Sequence, residues 1–269
     1  MPPILALALT FAFIIVAFVL ERQRNPEVTS ALWIPLLWVG FIGTRFPSQW
    51  LGASGRVQSA AAYLEGNALD QVVFLSLYAC AIFVLVQRRA SIAVFVRNNK
   101  WLTLFLFYCL ASVLWSDYTW TALKRWIKVT EHVAMVLVVL TEPNLKQAID
   151  RLIRRFSYFA LPMSVCFIKY FPGLSRSFSD WTGEATNMGV TTNKNALGHI
   201  CFIAGIFFIA SLLRTSKSYG DKKLWYLDLL MVVFVAWLLM IANAKTALVC
   251  TLLGIVMILL LTKTQLGKN

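Results

Sequence analysis

Nine stretches of this chain, at 4–20, 31–43, 72–86, 101–115, 129–141, 156–169, 196–213, 225–241 and 248–261, are almost wholly apolar, and short polar connectors part them. That pattern leaves few folds open. A helix crosses the hydrocarbon layer of a bilayer with about 20 apolar residues. Inside that layer no water is present to satisfy the backbone, so each crossing segment must bond its own amides as a helix. A mean hydropathy of +0.71 and a 59% hydrophobic content lie well outside the range of water-soluble domains. The expectation is an all-α, polytopic integral membrane helix bundle of about nine spans, with short loops and one longer loop. Residues 1–269 then form a single transmembrane domain, because spans and connectors use the whole length and leave no room for a soluble domain. Several stretches are shorter than a full crossing and must borrow flanking residues. The stretch 4–20 has no basic leader and many others follow it, so it reads as an uncleaved first span rather than a signal peptide.

The net charge of +13 invites a nucleic-acid reading. The basic residues are scattered through the connectors, however, and build no patch or stripe that could track a phosphate backbone. They sort by side instead. If the spans alternate, sixteen Lys and Arg fall on one face of the membrane and nine on the other. Cytoplasmic loops carry the excess of Lys and Arg. The richer side is therefore expected to be cytoplasmic, which puts the amino terminus and the polar stretch 167–199 outside. Cys80, Cys109, Cys166, Cys201 and Cys250 all fall in apolar stretches and read as small buried hydrophobes. His132 and His199 have no companions at ligand spacing. No metal and no cofactor are expected.

Residues 142–156 are amphipathic: Leu145, Ile149, Leu152, Ile153 and Phe156 share one helical face, and Lys146, Asp150, Arg151, Arg154 and Arg155 occupy most of the rest. With Pro143 in the first turn, this reads as a helix lying in the cytoplasmic interface, its arginines near anionic lipid, that runs on into the sixth span.

Four groups could carry chemistry. The longest polar run, 167–199, holds Lys169, Arg176 and Lys194, three glycines, and the carboxylates Asp180 and Glu184. Pro172 and Gly173 break the helix that enters it. It reads either as a plain solvated connector or as a membrane-surface loop that handles an anion, held by Lys194, the positive end of the seventh span and Arg176. The second group, Lys124, Arg125 and Lys128, puts three cations on the side that the charge bias disfavours. These read as snorkelling side chains or as a cationic lip for a phosphate-bearing lipid. On that second reading they line one outward cavity with the cations of 169–194. Glu131 and His132, third, lie just inside the fifth span, where charge is costly. Glu131 is three residues from Lys128, which suggests a local ion pair, the other reading being a proton-handling group. Lys245, fourth, is a lone cation among small residues that allow close helix packing.

Taken together, several motifs resemble a known family. Trp115-Ser116-Asp117 followed by Lys124-Arg125-Trp126-Ile127-Lys128 is similar to a signature of the O-antigen ligase/O-antigen polymerase family. So are Ile168-Lys169-Tyr170-Phe171-Pro172 with Arg176, and Gly189-Val190-Thr191-Thr192-Asn193-Lys194-Asn195-Ala196-Leu197-Gly198. The segment 31–38, ALWIPLLW, fits an exopolysaccharide-production-like branch. The resemblance implies a multi-pass protein of the bacterial inner membrane with its main polar loop in the periplasm. It implies transfer or polymerisation of an oligosaccharide linked to undecaprenyl pyrophosphate, onto lipid A-core or another glycan acceptor, by inversion at the anomeric carbon. Cations would neutralise the departing pyrophosphate. By resemblance that role falls to Arg176 and Lys194, and next to Lys169, Lys124 and Arg125, with membrane lipids and the glycan carrier as partners and no nucleic acid. The family pattern continues, past the position of Asn269, into a larger periplasmic loop and further spans that bring a histidine acting on the acceptor. This chain is therefore expected to correspond to the amino-terminal two-thirds of a member, without that catalytic part. The readings from other classes are a polysaccharide or lipid-carrier transporter component and an inactive, shortened family member.

Overall fold

The computed structural model describes residues 1–24, 28–52, 67–89, 92–178, 183–215 and 222–266. Twelve α-helices make up nearly all of the described residues. They are α1 (Pro3–Arg24), α2 (Trp33–Gly43), α3 (Pro47–Trp50), α4 (Ala68–Gln87), α5 (Ile92–Asn98) and α6 (Lys100–Ala111). There follow α7 (Thr119–Leu140), α8 (Leu145–Tyr170), α9 (Pro172–Ser175), α10 (Lys194–Thr215), α11 (Lys222–Ala242) and α12 (Lys245–Leu266). Short 3-10 turns, Ser30–Leu32 and Ser112–Trp115, precede α2 and follow α6. One antiparallel ribbon, β1 (Arg176–Phe178) with β2 (Ala185–Asn187), lies in the long polar run.

Among the described residues, four helical segments are long and apolar enough to cross a membrane: Pro3–Arg22, Ala68–Gln87, Lys194–Leu213 and Lys222–Ala242. They mark the chain as a multi-pass membrane protein. Ser30–Gly43, Lys100–Trp115 and Lys245–Leu261 are apolar but shorter. Caps set several helix starts. Asn67 Oδ1 accepts the Leu69 N–H (2.9 Å) ahead of α4. Asn193 Oδ1 accepts the Ala196 N–H (2.8 Å) ahead of α10. Each pairing satisfies an amide that the first turn leaves open. At α8 the same role falls to Asn144, whose Oδ1 takes the Gln147 N–H, so Pro143 stands before the helix and not in its first turn.

The chain forms two compact units. The first contains Met1–Pro26, Ile42–Arg45 and Asp150–Asn269. In it α10 packs along α11 and against α12, and α1 packs against α11. Tyr158, Leu161, Val190, Leu197, Cys201, Phe208, Met231 and Leu238 are wholly buried there. Gly198 lets α10 come close to the start of α12: a Cβ at that position would meet the Cβ atoms of Ala244 and Ala247, both at 2.9 Å. The second unit contains Glu27–Phe41 and Phe46–Ile149. It centres on α4 against α7, where Ala81, Ala134, Met135 and Val138 are buried beneath Trp38, Leu77 and Tyr78. Ser48 ties α3 to α4 by donating N–H and Oγ–H to the two oxygens of Asp70, at 2.8 and 2.7 Å.

The amphipathic segment is not a surface helix. It is the first half of one continuous helix, α8, and Arg151, Arg154 and Arg155 are buried rather than turned toward lipid headgroups. Apart from Asp150, one turn before Arg154, their carboxylate partners Glu21 and Asp228 lie far away in sequence, so helical periodicity alone could not reveal them.

Candidate functional site

The long polar run is folded, not slack, and Arg45 holds it. This guanidinium lies between α2 and α3 and donates Nε–H to the Thr191 carbonyl (3.3 Å). Its Nη2 donates to the carbonyls of Gly189 (3.2 Å) and Leu174. Burial lowers its pKa from the ordinary arginine value. Three carbonyls of one loop thus close on a single cation. The loop is fastened again at its base. Ser175 Oγ–H donates to the Phe167 carbonyl (2.9 Å), the Met188 N–H donates to the Ser175 carbonyl (2.8 Å), and the Val190 N–H donates to Ser164 Oγ (3.3 Å). Gly189 makes that last approach possible. It sits at φ +55°, and a Cβ there would come within 2.7 Å of Ser164.

On this scaffold stand the expected site residues of the first unit. Lys169 lies in the last turn of α8, exposed, with Nζ 5.8 Å from the Tyr170 ring centroid. Arg176 opens β1 opposite Asn187 and is exposed. Lys194 is the first residue of α10 and is half-buried. Lys245 opens α12, exposed. Asn187 Nδ2–H donates to the Ile241 carbonyl (3.2 Å), which fastens the ribbon to the end of α11 just ahead of Lys245. The topology therefore gathers Lys169, Arg176, Lys194 and Lys245 at one end of this unit. Among the described residues none of the four forms an ion pair. Positive charge beside the open amides of a helix start is suited to holding an anion. Glu184 is exposed, and Asp180 lies outside the described residues, as does most of the connector between α3 and α4. His199 is exposed on α10 rather than packed.

Lys124 and Arg125 belong to the second unit, near the start of α7. Lys124 is half-buried, with Nζ 5.7 Å from the Trp120 ring centroid; Arg125 and Lys128 are exposed. Trp126 fixes this turn by donating Nε1–H to the Leu106 carbonyl (3.0 Å). Asp117 does not cap α7. Among the described residues Glu131 forms no ion pair with Lys128; it is turned inward and buried.

The first unit also carries a cluster that sequence reading missed. At the end opposite the loop, Glu21 of α1 accepts from Arg151 Nε (2.9 Å) and Arg155 Nε (2.7 Å). Arg154, fully buried, donates to Asp228 of α11, to Asp150 (2.8 Å) and to Ser211 of α10 (2.7 Å). Ser211 in turn donates to Asp228 (2.8 Å). One signal was available: Glu21 and Asp228 are isolated carboxylates at the margins of apolar runs, and such a charge requires a partner.

In the second unit the connectors after α4 and α7 and the segment before α2 converge. Glu142 accepts from the Thr29 N–H (2.9 Å), Thr29 Oγ1 (2.7 Å) and Arg88 (2.5 Å). Burial alone would raise its pKa, but the hydrogen bonds from Thr29 and Arg88, with the charge of Arg88, outweigh it and hold the carboxyl below its ordinary value. Among the described residues no three His, Cys, Asp or Glu side chains stand close enough to hold a metal ion.

Fold and charge distribution define a multi-pass helical membrane protein with a cationic, structured loop at one end of its first unit. Compared with known protein families, curated proteins and solved structures, the chain matches none.

Proposed function

We propose that the protein works on a lipid-linked anionic glycan in the bacterial inner membrane, as a glycosyltransferase-type protein of the O-antigen ligase or polymerase kind, with its polar loop in the periplasm. The observation that carries this reading is the group of cations Lys169, Arg176, Lys194 and Lys245. Arg176 stands on the loop that Arg45 holds, Lys169 and Lys194 stand on the helices that flank it, Lys245 opens α12 at the same end of the unit, and none has an ion-pair partner among the described residues. A loop that served only to connect two spans would not need three backbone carbonyls closed on one half-buried guanidinium. Arg176, with its planar fork, and Lys194, at the positive start of α10, would hold the carrier pyrophosphate, and Lys169 would add charge at the rim. Lys124 and Arg125 form a second cationic turn and would meet phosphate headgroups in their own unit. Nine crossings follow if the three shorter apolar helices and the apolar parts of α7 and α8 span as well. The test is glycan transfer in cells. Alanine at Arg176 or Lys194 should remove polysaccharide attachment or elongation at normal protein level, and unchanged glycan ladders in both variants would end the proposal.

A second reading, a transporter component for the lipid carrier or the polysaccharide, draws on the charged cluster of Glu21, Arg154 and Asp228 within apolar helices, since charges in membrane helices often mark transport paths. It differs in outcome. Neutralising Asp228 would then stop carrier movement, whereas under the first reading it would cost only stability.

A further inference from the structure

Within the second unit one carboxyl is left in a position that no ion pair explains. Glu131 lies in the middle of α7 and is 5% exposed. Its Oε1 is buried with no hydrogen-bond partner. Beside it is the indole of Trp38 from α2, whose Nε1–H is also buried and also unpartnered. The indole N–H is near enough to act on the carboxyl as a donor, but the contact falls short of full hydrogen-bond geometry. An unpartnered carboxylate in apolar surroundings costs several kcal/mol unless a proton neutralises it. The charged groups that act on Glu131 are Lys128 and His132, both on its own helix. From α4 comes Tyr78, whose OH donates to Thr130 Oγ1 (3.3 Å), and from α2 comes Trp38, which carries no charge.

We propose that Glu131 is a proton-binding site, enclosed by α2, α4 and α7, with His132 as its contact with the outside. His132 is exposed, and its ring stands edge-on to Trp38 with centroids 4.8 Å apart. His132 Nδ1 is bonded to the Lys128 carbonyl. A carbonyl only accepts, so Nδ1 carries the hydrogen and Nε2 is the nitrogen left to take up a proton. A solvent proton adds to one carboxylate oxygen of Glu131, giving the neutral acid, and leaves by the same route. When the proton leaves, the carboxylate needs a donor and the Trp38 indole N–H is the one at hand. Ionisation therefore draws α2 and α7 together at this point. This site is independent of the anion-holding loop, and its test does not read glycan transfer.

The full chain, purified in detergent or lipid nanodiscs, is treated at neutral pH with a hydrophobic carbodiimide. This reagent adds an un-ionised carboxyl across its C=N bond, and the acyl group then migrates to nitrogen as a stable adduct. Peptide mass spectrometry should find the adduct on Glu131 in preference to exposed Glu184, with labelling that falls as pH is raised. Infrared difference spectra should show an un-ionised carboxyl band in the wild type that is absent from Glu131→Gln, a variant that keeps shape and neutrality and so folds. Labelling no greater at Glu131 than at Glu184, or a band that survives in Glu131→Gln, overturns the assignment.

Discussion

Arg45 shows how far a single side chain can determine a loop. Replacing it by Ala strips a charged donor from the carbonyls of Leu174, Gly189 and Thr191, and bonds to charged groups contribute about 1.5–3 kcal/mol each. Arg45→Ala should therefore lower the thermal midpoint of the purified protein and expose 172–193 to protease, and Arg45→Lys should restore only part, because an ammonium lacks the fork. Glu142 gives a pH dependence with a definite sign. Its folded pKa is depressed, so its contribution to stability is present above the unfolded value, about 4.3, and is lost as pH falls through the folded value. Midpoints measured on acidification should drop more steeply in the wild type than in Glu142→Gln. At this scale the sequence was legible for charge and not for partner. Lys169, Arg176 and Lys194 could be singled out because they stand in the longest polar run of an otherwise apolar chain. Arg45 could not, since its three acceptors are backbone carbonyls about 130 to 146 residues away, which no side-chain pattern encodes.

Among the elements, helices were legible and their faces were not. The apolar runs 4–20, 72–86, 196–213 and 225–241 each fall inside a long helix, whereas 129–141 and 156–169 are only the ends of helices that begin at Thr119 and Leu145. The stretch 142–156 was misjudged because periodicity reports that a face is polar but not what it meets. Its arginines meet Glu21 and Asp228 instead of headgroups. The ribbon of β1 and β2 also went unread, as three-residue strands leave too short a pattern. Asp228→Leu removes one carboxylate from a buried pair and leaves Arg154 under-compensated, a loss of about 3–5 kcal/mol. The double change Arg154→Met with Asp228→Leu should recover most of it, and chemical denaturation in detergent measures both. Gly189→Ala forces a left-handed backbone conformation on a Cβ that has no room, at a cost of about 1–3 kcal/mol. The cysteine pair Ser164→Cys and Val190→Cys offers a direct check that this part of the loop sits on α8, through crosslinking.

For the whole molecule, the alternation of spans makes a claim that needs no knowledge of substrate. Within the first unit Lys169, Arg176, Lys194 and Lys245 gather at one end while Glu21, Arg151, Arg154 and Asp228 gather at the other, as an up-and-down thread requires. Within the second, Thr29, Arg88 and Glu142 converge from three separate connectors. A reporter enzyme active only outside the cytoplasm, fused after Glu184, should be active, and one fused after Glu142 should be silent. The reverse pattern would remove the periplasmic loop and the proposed function with it. Hydropathy made this threading readable, because the bilayer imposes it on each segment separately; which cations stand together depends on packing between segments, which hydropathy does not describe.

Glu21 lastly implies an order of events during synthesis. Its two arginine partners leave the ribosome 130 and 134 residues later. Until α8 arrives, α1 lacks the two guanidinium groups that hold its acid in the finished fold. Docking of α8 on α1 is thus a late step of biogenesis, and a nascent chain halted before Arg151 should be extracted from the membrane more readily than one halted after Arg155.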